Sequence, residues 1–131
     1  MTAAPCGFHL IADLEGCIGL DDPALIERAI RAGVAAAGVT LLDLRLHHFG
    51  PEQGVTGVAL LAESHISIHS WPQQAYAAVD VFLCGRREAV RAALDALAAH
   101  LKPIHSRVSI IERGVAPDVQ APAGRPGISA A

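Results

Sequence analysis

Lysine is nearly absent from this 131-residue chain: Lys102 is the single one, against nine arginines. That scarcity bears on chemistry, because pyridoxal-phosphate enzymes need a Schiff-base lysine. Lys102 stands beside Pro103 at an expected helix end, a poor place for such a site. An electron sink for amine chemistry would have to come from elsewhere. There is no basic excess either. The formal net charge of −3 gives no footprint for nucleic acid, which wants a basic face. No apolar run reaches the roughly 20 residues of a membrane span, and no basic-then-apolar amino terminus suggests a signal peptide. Cysteines number three, Cys6, Cys17 and Cys84. An odd, scattered set argues against a disulfide framework and fits a reducing cytoplasm. Aromatics are few, one Trp, one Tyr and three Phe, so each one matters for a ligand pocket.

What is present reads as one domain with a full-sized core. Hydrophobic residues make up 52% of the chain, which excludes general disorder. Residues 8–14 predict a first strand. Asp21-Asp22-Pro23 predicts a helix start, with an acidic cap and proline in the first turn. Leu25, Ile26, Ala29, Ile30, Gly33, Val34 and Ala37 then recur at helical spacing over 23–37, and Gly38 predicts a left-handed cap. Strands are predicted at 40–49 and 55–62, with a turn at 50–54. Strand 64–71 follows with no room for a loop, so the Glu63-Ser64 junction must itself bend. Residues 76–83 predict another strand, 86–101 a second amphipathic helix and 104–112 a last strand. Two helices cannot cover both faces of six strands. The expected fold is therefore α+β: a two-layer α/β sandwich, mainly antiparallel, with both helices on one face. Residues 1–113 form the single expected domain. Residues 114–131, with prolines, glycines and no apolar pattern, predict a disordered tail.

The stretch Leu60 to Pro72 organises the chain. Ile66 and Ile68 alternate with His65, Ser67, His69 and Trp71, the period of a half-buried strand. Its polar face carries more chemistry than solvent exposure needs. Taken singly, Ser64 is a turn serine, Cys84 a buried small hydrophobe and Thr56 a strand filler. Cys6 and Cys17 read as core or loop residues, and His9, His47, His48, His100 and His105 as structural or surface ones. Spacing speaks against a metal site, since one ion cannot bridge the obvious histidine pair on a straight strand. His65 and His69 lie about 13 Å apart on a straight strand, whereas zinc–nitrogen bonds are about 2.0–2.1 Å.

Taken together, Glu63-Ser64-His65-Ile66-Ser67-Ile68-His69, Trp71-Pro72, Tyr76 to Phe82 and Cys84-Gly85 closely resemble the pyruvoyl-dependent S-adenosylmethionine decarboxylase proenzymes of bacteria and archaea. The resemblance runs from about Gly7 to Gly114. It implies a two-layer sandwich that pairs as a homodimer, with active sites at the interface. It implies cleavage between Glu63 and Ser64 into fragments 1–63 and 64–131, with Ser64 becoming a pyruvoyl group that forms a Schiff base with the substrate. His69 is implied as the processing base, Thr56 as an assistant at the ring intermediate, and Cys84 as the proton donor in decarboxylation. Phe49 matches an aromatic that similar proteins set against adenine, and Trp71, which also flanks the central strands, is the second aromatic candidate for a small-molecule substrate. The product would supply aminopropyl groups for polyamine synthesis. Two positions depart from the family pattern. Gln73-Gln74-Ala75 follow Trp71-Pro72 where relatives carry Glu and then a glycine, and Ile18 stands where an acidic residue follows Gly-Cys. Neither touches processing. An arginine or ornithine decarboxylase on the same scaffold is the alternative, and would want a carboxylate where adenine should sit. A binding paralogue that never processes is the third reading.

Overall fold

A computed structural model describes residues 4–115. The expected tail, 114–131, lies outside the described residues from residue 116 onward. The elements are β1 (Gly7–Glu15), α1 (Pro23–Ala37), β2 (Thr40–His48), β3 (Val55–Ala62), β4 (Ser64–Trp71), a single 3₁₀ turn (Pro72–Gln74), β5 (Tyr76–Leu83), α2 (Arg87–Leu101) and β6 (His105–Arg113). The predicted boundaries hold to within a residue or so. Arg86 caps α2 rather than starting it, and Ile104 lies just ahead of β6.

Local chemistry sets the helix ends. The Asp22 carboxylate accepts from the backbone N–H groups of Ala24 and Leu25, and Gly38 takes the left-handed conformation at φ 71°. Such a cap satisfies donors that have no partner inside the helix. Lys102 is the C-cap of α2, left-handed at φ 51°, so the lone lysine sits at a helix end as its neighbour Pro103 predicts. Ile26, Ala29, Ile30 and Val34 of α1 face Val90, Ala93, Leu94 and Leu97 of α2 and the sheet as one core. The helices pack closely at Gly33, where a Cβ would stand 3.0 Å from the Ala93 carbonyl oxygen.

The six strands run in the order β2-β3-β4-β5-β1-β6, and each observed pairing is antiparallel. β1 is inserted between β5 and β6, so the first and last thirds of the chain close one half of the sheet. Leu10, Ala12, Leu14, Ile66, Ile68, Val79, Val81 and Leu83 point under the helices and are buried. Their alternating neighbours form the opposite face. That is the two-layer α+β sandwich, with helices on one side and an open sheet face on the other.

Candidate active site

The predicted alternation along β4 holds. Ile66 and Ile68 are fully buried, while His65, Ser67, His69 and Trp71 take the open face. The β3–β4 connection is as tight as the sequence requires: Leu61 pairs with Ser64, leaving only Ala62 and Glu63 between them. The Ala62–Glu63 peptide is cis. Ser64 itself has φ 101°, a region that a residue with a Cβ seldom visits, at a cost of about 1–3 kcal/mol. The one non-glycine in β4 with such a backbone is thus the serine of the Glu63-Ser64 bond.

Ser64 also pairs with Leu83 on β5, which brings the end of β5 and its next residue, Cys84, to the same corner. Cys84 is exposed, so it is not the buried hydrophobe that its residue type alone suggests. Its thiol pKa is raised, first by desolvation and then by the charge of Glu63 and a hydrogen bond with it. A raised thiol stays protonated at neutral pH and can donate a proton. Cys17 is buried, and burial pushes its thiol up to about 11. Cys6 is exposed, and its thiol donates to the Gly114 carbonyl at 3.5 Å.

At the other end of β4 stands a second cluster. Thr56 is opposite His69 in the β3–β4 register, and its hydroxyl lies 3.1 Å from His69 Nδ1. The two bound a cavity of about 330 Å³ that Phe49, Gln53, Trp71 and Gln73 also line. Among the described residues no carboxylate lines it. Phe49 and Trp71 are both exposed, as aromatics that face a ligand would be. Gln73 donates its amide N–H to the Glu52 carbonyl at 3.0 Å, which ties the β2–β3 turn to the end of β4. Trp71 stacks on Tyr76 at 5.2 Å between centroids. The Tyr76 hydroxyl donates to Asp13 at 2.5 Å. That bond, ahead of desolvation, pushes its pKa up to about 12.

The structure thus gathers Glu63, Ser64 and Cys84 at one end of β4, and Thr56, His69, Phe49 and Trp71 at the other. It does not bring the two groups together. Ser64 and His69 are five residues apart on one strand, about 16 Å at 3.3 Å per residue. Among the described residues no three His, Cys, Asp or Glu side chains are grouped to hold a metal ion.

Two features escaped sequence reasoning. Ser70 is buried beneath the sheet. Its hydroxyl accepts from the Val55 N–H at 2.9 Å and donates to the Leu20 carbonyl at 2.7 Å, pinning β3 and the loop before α1 to the strand that carries His69. A polar residue at an even position among Ile66 and Ile68 was the available signal. His9 stacks on Phe82 at 4.9 Å and is not a plain surface residue. Nothing local in Gly7-Phe8-His9 announces that contact, because β5 lies far off in sequence.

Comparison with known proteins agrees with this geometry. A model of the family described as S-adenosylmethionine decarboxylase matches residues 8–114. A protein of Thermomicrobium roseum named S-adenosylmethionine decarboxylase proenzyme is 44% identical over 112 residues, 86% of this chain and 97% of that one. A protein of the same name from Methanococcus maripaludis strain C7 is 47% identical over 111 residues, 83% of this chain and 90% of its own. The crystal structure of the adenosylmethionine decarboxylase from Aquifex aeolicus is similar with a TM-score of 0.82 and 34% identity, covering 92% of this chain and all of that one. The fold, the matched length and these relatives together place this chain in the S-adenosylmethionine decarboxylase family.

Proposed function

We propose that this chain cuts itself between Glu63 and Ser64 and then decarboxylates S-adenosylmethionine as a pyruvoyl-dependent carboxy-lyase, supplying an aminopropyl donor. The observation that carries the reading is the Glu63-Ser64 junction. A serine with φ 101° follows a two-residue turn, with a protonated thiol next to it and no usable lysine in the chain. Strain at that serine favours attack of its own Oγ on the Glu63 carbonyl carbon, which moves the acyl group from nitrogen to oxygen. Removal of the Ser64 α-proton then expels the Glu63 carboxylate by β-elimination. Hydrolysis releases ammonia and leaves a pyruvoyl group at residue 64. Once formed, that group supplies the electron sink for loss of the substrate carboxylate.

The chain's residues divide the remaining work. His69 is the base for the α-proton, since a neutral imidazole nitrogen can accept it. Thr56, hydrogen-bonded to His69, stabilises the oxygen of the ring intermediate. Cys84 hands a proton to the substrate carbon after carboxylate loss, and its raised pKa keeps that proton available. Phe49 and Trp71 offer faces to adenine and to the sulfonium cation. A cavity lined by aromatics and without a carboxylate suits a sulfonium, which donates no hydrogen bond, and disfavours the arginine or ornithine alternative, whose guanidinium or ammonium would want a carboxylate to accept its N–H bonds.

His69 lies about 16 Å from Ser64 in one chain, so the base and pocket serving each Ser64 belong to a second copy. The working unit is a homodimer with two composite sites. The free cysteines fit a reducing compartment such as the cytoplasm. Intact-mass spectrometry of the purified protein tests the central claim. Fragments 1–63 and 64–131 should appear without protease or added cofactor, the second lighter than a serine-initiated fragment by the ammonia lost and blocked to Edman degradation. A single full-length species that persists for days at neutral pH would overturn it.

A further inference from the structure

Cys6, Cys17 and Cys84 are all free thiols. Two of them, Cys6 and Cys84, are brought to one corner of the sheet from opposite ends of the chain, and both are exposed there. Phe8 pairs with Leu83 where β1 and β5 end together. The two segments stay in contact for one step more. Gly7 lies so close to β5 that a Cβ on it would stand 2.8 Å from the Leu83 carbonyl oxygen. Extending the register sets Gly7 opposite Cys84, and Cys6 is the next residue. Paired strands lie about 4.8 Å apart and rise about 3.3 Å per residue, so an offset of one residue puts the two Cα atoms about 6 Å apart. Disulfides span Cα separations of about 4.4–6.8 Å.

The corner has room for the bond. Gly7 places no side chain between the two cysteines. Beyond Cys84, a Cβ on Gly85 would have no heavy atom within 4 Å, so that turn can adjust. On the other side Cys6 is held only by a long bond, in which its thiol donates to the Gly114 carbonyl at 3.5 Å. A thiol is a weak donor and gives up such a bond cheaply. The two sulfurs also sense each other. After desolvation and the Glu63 carboxylate, the charge of Cys6 is a further cause of the raised Cys84 pKa, as expected of groups only a few ångströms apart.

We propose that Cys6 is a thiol modification site, which takes up a small-molecule disulfide and passes it on as a reversible Cys6–Cys84 disulfide that masks the proton donor. The masking rests on the role proposed above for Cys84; the bond itself does not. In the first step the Cys6 thiolate attacks one sulfur of the outside disulfide, RSSR, and expels RS⁻. In the second the Cys84 thiolate attacks the Cys6 Sγ and expels the other RS⁻. The two thiol protons pass to the leaving thiolates. The protein thiols lose two electrons between them, and RSSR is reduced to two RSH. Cys6 takes the first attack because a raised pKa leaves Cys84 little thiolate for a bimolecular step. Once Cys6 carries the mixed disulfide, the second attack is intramolecular and gains from proximity. Transient bonds of this kind are the ones a reducing compartment permits.

Closing the bond removes the S–H of Cys84. The substrate carbon cannot then take its proton there until a thiol reductant reopens the bond. Cys6 belongs to fragment 1–63 and Cys84 to fragment 64–131, so the same bond also joins the two products of self-cleavage.

That joining makes the test direct. The purified protein is incubated with oxidised glutathione and weighed intact without reductant. The two fragments should appear as one species, lighter than their sum by two hydrogens, with the link mapped to the peptides that carry Cys6 and Cys84. Dithiothreitol should separate them and restore decarboxylation. Cys6→Ser should keep its basal activity and lose it to the oxidant severalfold more slowly. Oxidised Ser64→Ala, which cannot cut itself, should keep the mass of one chain less two hydrogens, which distinguishes a bond within a copy from one between copies. Fragments that separate without reductant, a link to Cys17, a lasting glutathione adduct on Cys6, a doubled mass in Ser64→Ala, or Cys6→Ser inactivated as fast as the natural chain would each overturn the pairing. Joined fragments with full activity would overturn the masking. A natural chain that stays uncleaved would sink the self-cleavage reading alone, because the Cys6–Cys84 bond is still scored within that full-length chain.

Discussion

Two dead variants of this chain should restore each other. On the proposed reading, Ser64→Ala removes the nucleophile and His69→Ala removes the base. Within one chain those positions are five residues apart on β4, roughly 16 Å, so on that reading each site draws one from each copy. A hybrid dimer of the two variants then holds one site with Ser64 and His69 both intact, and one site with both lost. Equal co-expression with random pairing makes half the dimers hybrid. About one quarter of all sites should therefore be functional in a two-fold assembly. That quarter should be found entirely in the His69→Ala chains, of which about half are cleaved. The assay is intact-mass spectrometry of the co-expressed pair with differently tagged chains, followed by counting carbon dioxide from carboxyl-labelled S-adenosylmethionine. Each variant expressed alone should remain full-length and inactive. Cleavage of His69→Ala alone at the normal rate would refute the role of His69. Failure of the mixture to cleave, in a preparation shown to contain hybrids, would refute the composite site.

Three further outcomes follow from the same geometry. Cys84→Ala should still cut itself, because the thiol acts after processing, but should turn over poorly and return the proton to the wrong carbon, so that fragment 64–131 becomes readable by Edman degradation during turnover. Glu63→Gln removes the carboxylate that helps raise the Cys84 pKa. Proton donation requires the thiol form, present below that pKa and lost above it. The alkaline limb of kcat in Glu63→Gln should therefore move to lower pH, and an upward shift or none would contradict the assignment. Ser70→Ala strips the Val55 N–H and the Leu20 carbonyl of a buried partner, which should cost about 1–3 kcal/mol and lower Tm by several degrees; unchanged thermal unfolding would show that water replaces the hydroxyl.

The local elements were all legible in the sequence, because each rests on neighbouring residues. A period of two along Ile66 to Trp71 puts chemistry on one face and aliphatics on the other, whatever the rest of the fold does. Asp22, Pro23 and Gly38 bound α1 through backbone groups within a turn of themselves. The Glu63-Ser64 bend follows from two strands that abut, and the lone lysine from composition. The separation of Ser64 from His69 was also written there, as five residues on a strand. That the two positions belong to separate clusters becomes visible only once both are populated with their neighbours. Those neighbours were settled by pairings between distant strands. The insertion of β1 between β5 and β6 lays His9 on Phe82 and leaves its Nε2 without an acceptor among the described residues. The β3–β4 register sets Thr56 against His69, and the fold-back of the β2–β3 turn hangs Phe49 over the end of β4 to make a cavity. The strand order that buries the most apolar surface under two helices decides these contacts. That choice is a property of the whole core, and no local period in the chain encodes it.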